Sequence, residues 1–229
     1  SVWGSVTGQA RAKTLRARAL LALHEEDGEA AKRLIDEADG HAAPVDRSLR
    51  ATVLRVTDGA QVALDLLDGA QTERETEVRG SLLLELGEVD QALAELAHSP
   101  VGRPESQRLK AIALCLKGER EQAVVMAEEA RTSDPHSVLA QQTVGVLHVM
   151  AALSPRAPVQ FGAMPNPMDP GLVRGTQDAL EHLDKAEALF AHLATSLEMP
   201  ARAEAEIWRF ACLILHVDKR ADARKLARE

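Results

Sequence analysis

The chain has 229 residues, of which 45% are hydrophobic, 27% are charged and 2% are aromatic. This is the composition of a soluble globular protein, and a core of Ala, Leu and Val with so little aromatic bulk favours closely packed helices over a β-sandwich. The net charge of −8 and the lack of a basic arm argue against nucleic acid as a partner, and no run of apolar residues is long enough to predict a membrane span.

Pairs of small residues twelve positions apart recur along the chain, and a turn signal lies between the members of each pair. The turn segments are EEDGE, TDGAQ, LGEVD, KGERE and VDKRA. Each separates two runs with the apolar spacing of a helix, so the sequence predicts a series of helical hairpins. Ala or Gly at a crossing lets two helices approach closely. The pairs are Ala19 and Ala31, Ala51 and Ala63, Gly80 and Ala92, Ala111 and Ala123, and Ala211 and Ala223.

The fourth hairpin shows the unit most clearly. Leu109 and Ile112 fall on one helical face before Gly118, and a second helix then runs to Asp134-Pro135, where proline disfavours helix in the preceding residue. This unit of about 32 residues resembles a tetratricopeptide repeat in its Gly turn, its small residue early in the second helix and its closing Asp-Pro. The resemblance covers nearly the whole chain, although Leu, Val or Ala stand in place of most of the family's large aromatic residues.

The fifth hairpin departs from the spacing. Its first helix has Gly145 as the small residue, but the matching Ala179 follows 34 positions later. The extra segment, SPRAPVQFGAMPNPMDPGLVRG at about 154–175, is too rich in Pro and Gly for a regular helix. Two interpretations stay open: a neutral solvated insertion, or an arm whose Phe161, Met164 and Met168 pack over a groove or contact a partner.

The sixth hairpin begins near Pro200, and the chain ends at Glu229 within its second helix. Terminal repeats normally carry a polar capping helix, so this ending predicts a fragment of a longer protein, or self-association through uncapped terminal hairpins. The predicted architecture is a single all-α domain over 1–229, an α-α superhelix of about six antiparallel hairpins in the manner of the tetratricopeptide-repeat solenoid.

No catalytic or metal motif stands out. The sequence contains no HExxH, GxSxG, P-loop or GxGxxG pattern and no Cys/His cluster with zinc spacing. Asp178 and His182 share a helical face, which favours a surface hydrogen bond over a metal site. Cys115 and Cys212 lie within apolar helical patterns, which favours buried thiols in a reducing compartment. We therefore predict neither an enzyme nor a bound cofactor or metal.

In the tetratricopeptide-repeat family the first helices line a concave groove that binds an extended peptide or a helix, so the resemblance implies a non-catalytic protein-interaction scaffold. The residues that the repeat register places in this groove are basic near the N-terminal end and apolar toward the C-terminal end. This gradient suits a peptide or amphipathic helix with an acidic end. The alternative is that the apolar members pack beneath the adjacent hairpin or the insertion. The repeat register assigns to the groove Lys13, Arg16, Leu20, Ser48, Thr52, Arg55, Glu77, Ser81, Leu84, Arg108, Ile112, Cys115, Gln142, Val146, Val149, Trp208, Cys212 and Leu215.

A second hypothesis is a regulatory or sensor segment of a larger enzyme or signalling protein. The abundance of Ala, Arg and Leu with few Lys and Asn is typical of a GC-rich bacterial gene. We expect a cytoplasmic protein, with an exported scaffold as the alternative.

Overall fold

A computed structural model describes residues 2–41, 46–100, 102–153, 176–198, 201–216 and 219–227. This part of the chain forms twelve α-helices, and successive helices pair as antiparallel hairpins, which confirms the predicted all-α solenoid of hairpins. The helices fall into two compact units, Ser1–Ser99 and Pro100–Glu229.

The N-terminal unit contains three hairpins, α1/α2, α3/α4 and α5/α6. Asp27, Asp46 and Thr72 each accept a hydrogen bond from a first-turn backbone N–H, which satisfies one of the donors left open at a helix start. α2 packs on α3, and both α3 and α4 pack on α5. The helices are α1 (Val2–His24), α2 (Gly28–Asp39), α3 (Arg47–Thr57), α4 (Ala60–Leu66), α5 (Glu73–Glu85) and α6 (Val89–Ala97).

The C-terminal unit contains the hairpins α7/α8, α9/α10 and α11/α12. α7 ends at Lys117, directly before Gly118, whose φ of 94° lies in the left-handed region that favours glycine. α8 ends at Ser133, directly before the predicted Asp134-Pro135 stop. The helices are α7 (Pro104–Lys117), α8 (Arg120–Ser133), α9 (Val138–Ala152), α10 (Gln177–Ser196), α11 (Ala201–Leu215) and α12 (Arg220–Leu226).

The small residues lie at the helix crossings, as the twelve-residue spacing predicts. Ala111 and Ala123 are both completely buried, and the alanines of the other pairs are equally inaccessible or nearly so. A Cβ added to Gly80 would lie 2.7 Å from Leu96 Cδ2, and one added to Gly145 would lie 2.6 Å from Phe190 Cζ. Both contacts are far below van der Waals distance, so an added methyl group at either crossing would force Leu96 or Phe190 to move.

The largest hydrophobic cluster surrounds α9. Residues 143–152 are buried on every side of this helix, because it packs against α7, α8, α10 and α11. A helix that is apolar all round occupies such a central position. Phe190 of α10 and Trp208 of α11 stack beside it, with ring centroids 5.8 Å apart.

The insertion at about 154–175, with Phe161, Met164 and Met168, lies outside the described residues. Its role stays a prediction, as does the assignment of 1–229 to a single domain.

Candidate partner-binding surface

In two hairpins of the N-terminal unit, the first helix carries basic residues and no acidic ones. α1 and α3 together carry seven Arg and Lys residues and no Asp or Glu, whereas the whole chain has a net charge of −8. Positive charge is therefore concentrated on two of the three first helices of this unit, whereas α5 carries four Glu and two Arg residues.

Acidic side chains of α2 neutralise part of this charge. Arg50 of α3 binds Asp36 at 2.8 Å and Asp39 at 2.7 Å, while Arg11 of α1 binds Glu37 at 2.7 Å. Arg16 lies 3.8 Å from Asp39 and is half-buried. These contacts join the first helices to the second helix between them, so Arg11, Arg16 and Arg50 are held by the fold.

Three other predicted groove residues of this unit are exposed, while the rest are half-buried or buried. Lys13 and Arg55 are exposed, and Leu20 is 46% exposed. Arg55 lies 3.3 Å from Glu85 of α5 in an ion pair that is open to solvent on both sides. Lys13, Leu20 and Arg55 are called the first-helix surface below.

The C-terminal unit places its predicted groove residues differently. Val146, Val149, Trp208 and Leu215 belong to the hydrophobic core, and Ile112 is also buried. This placement matches the alternative that the apolar members pack beneath neighbouring helices.

The polar members of that set are half-buried. Arg108 binds Glu105 of its own helix at 2.7 Å, and Gln142 lies on the partly accessible first half of α9. The C-terminal unit therefore offers Arg108 and Gln142, rather than an apolar strip, at the predicted positions.

A histidine pair joins α9 to α10, and sequence reasoning did not find it. His148 is buried, and its Nδ1 lies 2.8 Å from Nδ1 of His182. His148 Nε2 lies 3.4 Å from Glu128, and His182 Nε2 lies 3.3 Å from Glu121. The sequence had suggested Asp178 as the neighbour of His182. The available signal was a histidine inside α9, a helix without any Asp, Glu, Lys or Arg.

Within the described ranges, no group of three or more His, Cys, Asp or Glu side chains is arranged to hold a metal ion. Among the helices in those ranges, none combines the length and apolar character needed to cross a membrane.

No protein-family model and no curated protein matches the sequence. Solved structures do match its fold. A tetratricopeptide repeat protein from Parabacteroides merdae superimposes with a TM-score of 0.54 and 17% identity, over 96% of this chain and 78% of that one. The MamA RS-1 ArsTM double mutant gives a TM-score of 0.51 and 17% identity, over 80% of this chain and 96% of that one.

A third similar structure is YrrB, described as a TPR protein with an unusual peptide-binding site. It has a TM-score of 0.47 and 17% identity, over 84% of this chain and 90% of that one. The paired helices, the small residues at their crossings and the first two of these likenesses agree: the chain has the fold of the tetratricopeptide repeat proteins.

Proposed function

We propose that the chain is a non-catalytic protein–protein interaction scaffold that binds a peptide or helix of a partner protein on its first helices. The observation that carries the proposal is the first-helix surface of the N-terminal unit, where Lys13, Leu20 and Arg55 are accessible at predicted groove positions. The tetratricopeptide-repeat fold supports the proposal by analogy of fold.

The chemistry of this surface suits an acidic amphipathic helix or an extended peptide with an acidic end. Covering the exposed half of Leu20 would contribute about 0.7–1.5 kcal/mol, which is half of the value for burying a whole leucine side chain. Arg55 can exchange Glu85 for a carboxylate of the partner at little cost, because ion pairs between exposed groups contribute only about 0.2–1 kcal/mol. Lys13 adds electrostatic attraction toward an acidic partner at longer range, and this raises the rate of association.

The buried members of the predicted set have a supporting role in this proposal. Val149, Trp208 and Leu215 stabilise the C-terminal unit, and a partner would meet Arg108 and Gln142 there. Contacts from Phe161, Met164 and Met168 remain a prediction for residues outside the described ranges.

Self-association is a second candidate, favoured by the last hairpin. Ile207 of α11 is 54% exposed beside a shallow groove of about 580 Å³ that α10, α11 and α12 line together. A molecular mass that rises with concentration in sedimentation, and that falls back in Ile207→Glu, would support this candidate. A constant monomer mass would contradict it.

The main proposal is tested by capture of partners from the native cell extract. The surface variant combines Leu20→Glu with Arg55→Glu, and the matched control combines Val62→Glu with Arg33→Glu on the second helices α4 and α2. Both variants change the charge equally, and both replace accessible side chains of the same unit. Circular dichroism establishes that each keeps its helical content.

A protein retained by the wild type and the control, but not by the surface variant, is the expected result. Equal retention by all three chains would refute binding at the first-helix surface. If the wild type retains no protein, the regulatory-segment hypothesis is favoured, in which the same surface binds another part of a longer polypeptide.

A further inference from the structure

The histidine pair of the C-terminal unit imposes a constraint on its protons. A distance of 2.8 Å between the Nδ1 atoms of His148 and His182 is a hydrogen bond, so one of the two atoms must donate a proton and the other must accept it. The rings are 5.0 Å apart between centroids and tilted by 41°. His148 is only 2% exposed, so water cannot replace its partner.

Two carboxylates of α8 face the outer nitrogens of the pair. Glu128 lies 3.4 Å from His148 Nε2 and Glu121 lies 3.3 Å from His182 Nε2. Two neutral imidazoles have two ring protons between them, which cannot supply an N–H at all three contacts. One additional proton would supply all three, but burial of His148 opposes a positive charge on the pair, so above about pH 6.5 the neutral rings make the Nδ1 contact. A further proton would place an N–H on both Nδ1 atoms, so that two donors and two positive charges would face each other.

The charged groups that act on His148 come from α8 and α10, two of the four helices that pack against α9. α9 itself contributes none, because it contains no Asp, Glu, Lys or Arg. On His148 the effective groups are Glu128 of α8 and His182 and Lys185 of α10. His182 also lies at a shallow pocket of about 340 Å³, whose other charged lining residues are Glu121, Asp178, Glu181 and Lys185.

We propose that the contact between His148 and His182 is a pH-dependent switch that joins α9 to α10 while one proton lies between the two Nδ1 atoms. When both rings become cations the hydrogen bond is lost, and repulsion separates the two helices. The residues behind the contact are core residues, including Leu183 and Phe190 of α10. Acidification therefore loosens the fifth hairpin and with it the packing of the C-terminal unit.

Burial gives the direction of the pH dependence. Loss of hydration lowers the pKa of His148 below its ordinary value of 6.5, against the opposing hydrogen bond to Glu128. The unfolded chain then binds a proton at a higher pH than the folded chain. The contribution of His148 is fully present above about pH 6.5, and stability is lost as the pH falls below that value toward the folded-state pKa.

A proton fits the geometry better than a metal ion. Two imidazoles on a tetrahedral zinc ion, with Zn–N bonds of about 2.0–2.1 Å, would hold their nitrogens more than about 3 Å apart. The observed separation is 2.8 Å, and the described residues offer no third ligand.

The first test compares melting temperatures at about pH 7.5 and about pH 5, on either side of the ordinary histidine pKa. In His182→Asn the amide can still bond to His148 Nδ1 but cannot become a cation. His192→Asn, an exposed histidine on the same helix, is the matched control. We expect the wild type and the control to lose more of their Tm on acidification than His182→Asn does, by on the order of 2–4 °C. An equal loss in all three chains would overturn the proposal.

Nuclear magnetic resonance of the wild type, labelled with ¹⁵N in its histidines, tests the contact directly and does not depend on a variant that folds. A through-hydrogen-bond coupling between the Nδ1 atoms of His148 and His182 is expected at neutral pH and should disappear on acidification. Independent titration of the two rings without any coupling would overturn the proposal. So would a rise in Tm on adding zinc that His182→Asn abolishes, because the pair would then be a metal site.

Discussion

Gly145→Ala places two opposing effects at one helix crossing. Alanine in the interior of a helix is more favourable than glycine by about 0.5–1 kcal/mol. The new methyl group, however, would lie 2.6 Å from Cζ and 2.8 Å from Cε2 of Phe190. Phe190 is completely buried and stacks on Trp208, so its ring has no free space into which to move. Overpacking of this kind costs up to about 3 kcal/mol.

The overpacking should dominate. We expect Gly145→Ala to lower the free energy of unfolding by about 2 kcal/mol, the difference between about 3 and about 1 kcal/mol, and the Tm by roughly 4–8 °C. Urea and thermal unfolding followed by circular dichroism measure both quantities. Gly40→Ala is the control, because Gly40 has a φ of −71° and its added Cβ would meet nothing closer than 3.4 Å. The control should be neutral or slightly stabilising.

A double-mutant cycle identifies the cause. Phe190→Leu alone removes ring volume and the stack on Trp208, and should destabilise the chain. In combination with Gly145→Ala, the added methyl group occupies part of the vacated space, so the joint loss should fall short of the sum of the single losses by on the order of 1 kcal/mol. A Gly145→Ala chain as stable as the wild type, or strictly additive losses, would refute the steric explanation of this glycine.

Two further predictions concern buried polar groups of the C-terminal unit. Burial raises the pKa of Cys115 to about 11 and that of Cys212 to about 12, so at about pH 8 both thiols should stay protonated and react with iodoacetamide far more slowly than in urea, as followed by mass spectrometry; equal rates would contradict this. Arg120 of α8, buried, donates to the Leu153 carbonyl oxygen at 2.8 Å. Removing this donor in Arg120→Met should cost about 1–3 kcal/mol in urea unfolding. Arg131→Met, which loses only a pair with Glu128 on its own helix, should cost at most about 0.5 kcal/mol, and equal losses would count against a role for the Arg120 contact.

Much of the architecture could be predicted because its signals are local. Gly118 and Asp134-Pro135 limit their helices by backbone sterics, and in the structure α7 and α8 end directly before those residues. A small residue at position 145 was also expected from the sequence, since small residues recur where two helices cross. That alanine would be too large there follows only from the contact with Phe190. The partner across that crossing, Phe190, could not be named, because it lies on the far side of the insertion.

The candidate groove stays a prediction. The repeat register assigns first-helix positions to it, but the exposure of each position depends on which helices pack over it. Lys13, Leu20 and Arg55 are accessible, whereas Val149 and Trp208 lie in the core around α9.

The sequence by itself determined the order of the hairpins, the helix ends and the small residues at the crossings, because steric limits on the backbone act over a few neighbouring residues. Tertiary structure decided which faces stay open to solvent and which side chains meet across helices. The ion pairs of Arg50 and the contact between His148 and His182 belong to this second class. Such contacts join residues that are distant along the chain, and they form only when helix packing brings the side chains within a few ångströms of each other.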